Sequence, residues 1–397
     1  MKKHISDWWH GKKSLLPHLT HYQFDNTYFC ESGRAIWSER DYSSFAEEAY
    51  IRNVIAFRAI SMVAQSAASV PIILTRCGIA VNQHPILELL KRPNPIYSGR
   101  ELLEQIYSYR LISGNAYLLA LVDAKHQPVE LMSLRPDRVH VLAGNSFVPS
   151  GYRYTAGNKY IDYLMDEETG RCEVLHIKNF HPLSDWYGLS AVEAGAYSID
   201  QHNQAGSWNQ ALLQNGARPS GALMIKKGIG PGFMTTEQYK QLRENLEKNF
   251  SGAMNAGRPM ILEGDLEWKE MSMSPKDMDY ISTKHSAARD IALAFGMPPQ
   301  LLGIPGDNTY SNLAEARLAL WEQTILPLVE HTIQAINHWL APCFNDGIQL
   351  SYDLEQVPAM IERREKLWKQ LAAADFMTIN EKRAAMGLKP ILGGNKL

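Results

Sequence analysis

His176, His181 and Asp185 come nearest, by type and spacing, to a reaction centre in this chain. Two imidazoles and a carboxylate so close together could hold a divalent cation and activate a water for hydrolysis. They flank the end of a predicted strand, CEVLHIKNF, where a histidine more commonly makes an ordinary hydrogen bond. His18 and His21 have HxxH spacing, but no carboxylate or cysteine supports them as metal ligands. Glu263, Asp265 and Glu267 cluster in a predicted hairpin. Charges on an edge strand oppose aggregation, and a carboxylate metal site needs more convergence than this. Cys30, Cys77, Cys172 and Cys343 are scattered, with no CxxC pair, which argues for reduced thiols rather than a disulfide framework or a zinc site. Nothing fits GxxxxGK[ST], HExxH, GxSxG or GxGxxG. The expectation is a chain with no catalytic residue, no metal and no cofactor.

What the sequence does build is a pair of long helices around a polar loop. Ser274 and Pro275 open the first as N-cap and first helical residue, and Met278, Ile281, Ala288, Ile291 and Phe295 recur on one face. Gly296 stops it, and Pro298 and Pro299 forbid continuation. Asn312 with Glu315 reads as a capping box for the second helix. That helix carries the stripe Leu318, Trp321, Ile325, Leu328, Thr332, Ile336 and Trp339. Pro327 lies inside it and predicts a kink near Thr324 to Pro327. The connecting loop is rich in turn formers: Gly303, Pro305, Gly306, Asp307 and Asn308.

AFGMPPQLLG, then DNTYSN, then a helix with a mid-sequence proline, resembles the portal proteins of tailed bacteriophages, in the HK97-type group. RPNP, GNAY, LRPDRVHV and VLHIKNF follow the same family's order, and TINEKRAAMGLKP is similar to its C-terminal motif. The resemblance covers about Ile51 to Leu388. It implies an α+β, multidomain portal fold. Its parts would be an N-terminal arm (1–45), an α+β wing (46–188), a first stem helix (189–216) and a small β/α clip (217–273). A second stem helix (274–296), a channel loop (297–311), a kinked wing helix (312–341) and a C-terminal wing or crown-like region (342–397) would complete it. The resemblance also implies a cyclic ring, dodecameric in particles, at one capsid vertex. Through it double-stranded DNA is packaged and ejected. Its expected partners are other copies of itself, the terminase large subunit, a head-completion or connector protein, and the major capsid protein with its scaffold.

Composition agrees with such a role. The chain has 397 residues, 45% hydrophobic and 21% charged, with a net charge of -2. A tight, sequence-independent DNA binder neutralises phosphates and should be basic. Contact with DNA is therefore expected to be weak, which a sliding duplex requires. Gln300, Asp307, Asn308, Thr309, Tyr310 and Asn312 offer groups that could touch phosphates briefly, without a deep electrostatic well. Lys226, Lys227, Lys240, Arg243 and Lys248 make the clip the most basic internal region, although Glu237, Glu244 and Glu247 balance part of it. The apolar window from Val54 to Leu74 contains Arg58, Gln65 and Ser66, so no membrane span is expected.

A helix is predicted from Phe45 to about Ser69, strands at VPIILTR, GNAYLLALVD and QLSYDL, and a hairpin around Gly157 and Asn158. Ser98 with Glu101 and Thr378 with Glu381 read as capping boxes. Ser190 with Glu193 opens a predicted helix to Asn215 made mostly of small and polar residues; Ala205 and Gly206 on it would permit close packing against like neighbours. The tail GGNKL is expected to be disordered. Two rival readings remain at this stage: a cytoplasmic metal-dependent hydrolase using the His176, His181 and Asp185 region, and a monomeric helical interaction scaffold. The portal reading places the protein in the virion, and in host cytoplasm during assembly.

Overall fold

Strand β3 (Asn115–Val122) lies between two apolar clusters, and its sequence, NAYLLALV, suits that position. Successive side chains of a strand point to opposite faces. Ala116, Leu118 and Ala120 enter the main core, while Tyr117 and Leu119 enter a smaller one with Leu134, Val139, Tyr152 and Val174. The computed structural model describes residues 41–77, 79–125, 127–144, 148–166, 168–214, 221–225, 266–270, 280–305, 310–344, 347–354 and 356–395.

The architecture is α+β, with four small antiparallel sheets among the described residues. β1 (Ile72–Arg76) pairs with β2 (Ile79–Ala80) and with β11 (Ile348–Tyr352), joining distant parts of the chain in the register Leu74 to Leu350. β3 pairs with β4 (Pro128–Leu134) and β8 (Val174–Lys178). β5 (Val139–Leu142), β6 (Gly151–Ala156) and β7 (Lys159–Leu164) form a meander, the last two around the expected Gly157–Asn158 turn. β9 (Gly221–Ile225) pairs with β10 (Leu266–Glu270). The sequence predicts a partner for β10 just across Gly264, but that segment lies outside the described residues.

Helix α1 (Val54–Ala68) supplies the centre of the main core. Ala56, Ala59, Ala64 and Ala67 are buried along it, and their small side chains let α3 (Gly99–Ser113) approach closely. The predicted Phe45–Ser69 helix is interrupted. A helical turn at Tyr42–Ser44 runs into a π-helical stretch, Phe45–Ile51, and α1 starts afresh at Val54. Asn53 is extended (φ -97°, ψ 109°), and its Oδ1 accepts the N–H groups of Ile55 and Ala56. An asparagine that caps the next turn so well ends the previous one. Of the expected N-terminal arm (1–45), residues 1–40 lie outside the described residues. α2 (Pro85–Lys91) and α3 follow as expected, and α3 has both hydrogen bonds of the Ser98–Glu101 capping box.

The helix expected from Ser190 to Asn215 is split at Gly195 into a turn, Ala191–Ala194, and α4 (Ala196–Gln214). A Cβ at Gly195 would stand 3.2 Å from that of Ala294, so the break lets α5 (Tyr280–Ala294) pass closely. α4 and α5 pack along each other. The second long helix begins at Tyr310, so Asn312 lies inside it and cannot be its N-cap, a position that needs non-helical backbone. It runs as α6 (Tyr310–Leu320), a π-helical stretch (Trp321–Ile325) and α7 (Leu326–Leu340). Pro327 is the second residue of α7. There, the Leu326 N–H bonds the Trp321 carbonyl five residues back. Proline in a first turn forfeits no intrahelical bond, so the π-helical register accommodates it. α8 (Pro358–Ala372) and α9 (Ile379–Ala385) close the chain, the latter with a complete Thr378–Glu381 capping box. The tail is not free through Asn395: Asn380 binds the Ile391 and Gly394 carbonyls and the Asn395 side chain.

Candidate functional site

The polar loop between α5 and α6 is fastened at its base. Gly296 takes a left-handed conformation (φ +60°), and Thr324 Oγ1 in the π-helical stretch donates to its carbonyl at 2.7 Å. Met297 and Ile304 are buried on either side of a 3-10 turn, Pro299–Leu302. Arg289 of α5 donates to the Pro305 carbonyl at 2.6 Å. Of the predicted loop residues, Gln300 is half-buried in the 3-10 turn, Tyr310 begins α6, and Asn312 is exposed two residues on. Asp307, Asn308 and Thr309 lie outside the described residues. So do all five basic positions, Lys226, Lys227, Lys240, Arg243 and Lys248.

A polar network that the sequence did not announce holds α4 on the core. Asn53 Nδ2 donates to Asn203 Oδ1 (2.9 Å) and lies 3.2 Å from His202 Nδ1. Asn203 in turn donates to the backbone and side chain of Glu48. Burial holds the His202 imidazole below its usual pKa, and Lys284 of α5 adds to this. Ala205 and Gly206, further along α4, are half-buried; a Cβ at Gly206 would meet nothing within 4 Å of its own chain.

A second network surrounds Arg110, which is only 4% exposed. Its Nη1 donates to Thr332 Oγ1 (2.7 Å) on α7, and its Nη2 to Asn179 Oδ1 (2.8 Å) after β8. Both of these side-chain acceptors are neutral, and desolvation lowers the guanidinium pKa to about 10. The GNAY and RPNP motifs acquire physical reasons. Gly114 is the left-handed cap of α3, and its would-be Cβ falls 2.3 Å from the Gly188 carbonyl. Asn115 Oδ1 accepts the Gly188 N–H at 2.7 Å. Asn94 Oδ1 turns the chain by accepting from Ile96 and Tyr97, while its Nδ2 donates to the Leu131 carbonyl in β4.

The family model for the phage portal protein matches residues 55–387, the span that contains the RPNP and GNAY motifs, the Arg110 network, and His202 and Asn203 of the other network. The chain belongs to the phage portal protein family. An uncharacterised protein of Rickettsia bellii is 46% identical over 352 residues, 88% of this chain and 90% of the relative. The portal protein of Enterobacteria phage HK97 is 23% identical, covering 89% and 82%. Among solved structures, a chain in the neck of an empty gene transfer agent particle, computed with C6 symmetry, superposes with a TM-score of 0.71 at 43% identity, covering 90% of this chain and 96% of that one. An HK97-family portal protein from Corynebacterium diphtheriae shares the fold at 15% identity (TM-score 0.56), covering 78% and 96%.

Within this portal-family chain the residues of the rival hydrolase reading do different work. His176 is half-buried and stacked on Tyr117 (4.3 Å), with Nε2 3.0 Å from Asn115 Oδ1. Burial, aided by Lys178, pulls its pKa to about 3. His181 Nδ1 accepts the Leu183 N–H, and Asp185 is exposed, its carbonyl accepting from Lys178 Nζ. Among the described residues no cluster of three or more His, Cys, Asp or Glu could hold a metal ion. No described helix is long and apolar enough to cross a membrane.

Proposed function

We propose that this chain is the subunit of a closed ring, dodecameric in the assembled particle, that occupies one vertex of a phage-like capsid and passes double-stranded DNA during packaging and ejection. The observation that carries this reading is the 43% identity to a chain in the neck of a native gene transfer agent particle computed with C12 symmetry, covering 91% of this chain and 97% of that one. In this reading each part of the fold takes one of the family's roles. α4 and α5 are the stem, the β9–β10 pair belongs to the clip, and the α5–α6 connection is the channel loop. The core around α1, α3 and β3 is the wing, which α6 and α7 cross, and α8 and α9 belong to the C-terminal region. The ring would dock the terminase large subunit, then the head-completion connector, and would contact the major capsid protein and scaffold. Motor chemistry belongs to the terminase; this chain acts by shape and weak contact.

Two features support a positioning role for the loop. Its base is tied to α5, to the π-helical stretch and to buried Met297 and Ile304. Its composition is polar with little positive charge, which keeps every register of a sliding duplex near one energy. Negative-stain imaging of the purified chain tests the ring directly: annular particles with a central hole are expected, and a uniform population of single copies would refute it. Asp307→Ala with Asn308→Ala should leave rings intact and reduce packaging. Ala205→Glu should block assembly by forcing a charge into a helix contact between copies.

A further inference from the structure

Eight of the 25 large hydrophobic residues exposed among the described residues fall in a single stretch, 361–392, at the end of the chain. Phe376 is 82% exposed, Ile379 52% and Trp368 47%, and Leu392 is open to solvent. α9 does not hide them: it is pinned to its own tail through Asn380, which leaves these side chains facing outward. The stretch offers on the order of 900 Å² of apolar surface, about what one side of a stable protein interface covers. It is also basic, with seven lysines and arginines against four acids over residues 358–395.

A second exposed apolar patch lies at the opposite end of the sequence. Ile51 (75%), Val54 (66%) and Phe57 stand out from the π-helical stretch and the start of α1. Its charge is net negative: Asp41, Glu47 and Glu48 stand against Arg52, which pairs with both glutamates, and the exposed Arg58. A ring closed by rotation needs two different, complementary surfaces on each copy, because each subunit meets its neighbours head to tail. These two patches match in apolar character and are opposite in charge.

We propose that the α8–α9 segment of each copy docks on the Asp41–Phe57 surface of the next copy around the ring, with Phe376 and Leu392 against Val54 and Phe57. The inference rests on the ring reading and adds to it the pair of surfaces that closes the ring. Aliphatic and aromatic contact supplies the affinity, and the basic segment against the acidic one fixes its direction.

The test places a photo-crosslinking phenylalanine analogue at Phe376 in the full chain and irradiates purified rings. The expected product runs at twice the chain mass on a denaturing gel, and its crosslinked peptide maps within residues 41–57. Adducts confined to one chain, or mapping elsewhere, overturn the proposal. In parallel, Phe376→Glu with Leu392→Glu should lower the fraction of ring in native mass spectra tenfold or more, with the thermal unfolding of the single copy unchanged. Full ring yield from that variant also overturns it. If the unsubstituted chain itself makes no rings, the ring reading fails, and that outcome is distinct from rings that assemble without this contact.

Discussion

Thr324 and Gly296 fasten two long helices together: the threonine hydroxyl donates to the glycine carbonyl at 2.7 Å, and a Cβ on the glycine would fall 2.5 Å from that hydroxyl. The contact ties the end of α5 to the π-helical stretch before α7. The loop between them thus starts from a fixed point.

Gly296→Ala should destabilise the chain by about 1–3 kcal/mol, from left-handed backbone strain plus the clash with Thr324. In a Thr324→Ala background the same change should cost less, because only the strain remains. A double-mutant cycle of urea unfolding measures the difference, and strict additivity would show that the two residues do not interact.

Arg110 offers a comparison of signs. Its two terminal nitrogens reach different partners, Thr332 and Asn179, which one ammonium cannot do together. Arg110→Lys should therefore lose ~2–4 kcal/mol, at least as much as Arg110→Met, since a buried charge without its hydrogen bonds is worse than an apolar chain. Chemical unfolding of the two variants, side by side, decides it. A lysine variant clearly more stable than the methionine one would contradict this account.

Acid should weaken the fold through His176. Its folded pKa of about 3 lies well below the ordinary histidine value near 6.5, so the unfolded chain binds the extra proton first. Stability is full above about pH 6.5 and falls as the pH drops towards 3. Burial also lowers the pKa of His202 and His331, which act in the same direction. His176→Phe should flatten the pH dependence of the melting temperature between about pH 6.5 and 4. An unchanged slope would place the acid sensitivity elsewhere.

Asn53→Ala removes a helix cap and the bridge to α4 in one change. A loss of about 2–3 kcal/mol is expected, above the ~1 kcal/mol of a cap alone. Hydrogen exchange should also rise in residues 196–203. Exchange confined to the start of α1 would mean that α4 does not depend on the bridge.

Much of the local structure was legible in the residues. Ser98 and Glu101, Thr378 and Glu381, Gly114 and Gly296 each signal within one helical turn, and each forms the cap or stop expected of it. Asn312 with Glu315 has the same pattern and does not cap, because the helix already begins at Tyr310. The breaks at Asn53 and Gly195 were missed. Each depends on a partner remote in sequence: Asn203 for the first, Ala294 for the second. His176 looked reactive by spacing, and its stacking on Tyr117 could not be read from the stretch itself.

By itself, the sequence determined the family, through motifs whose order survives along the chain, and the absence of the familiar nucleotide, hydrolase and dinucleotide fingerprints. Those are properties of residue type and short spacing, and they need no coordinates. Only the tertiary structure decided that β1 pairs with β11, that Arg110 is buried among neutral acceptors, and that apolar surface remains uncovered at both 51–57 and 361–392. Pairing and burial depend on which distant segments meet, and hydrophobic periodicity records that a face must be covered without recording what covers it.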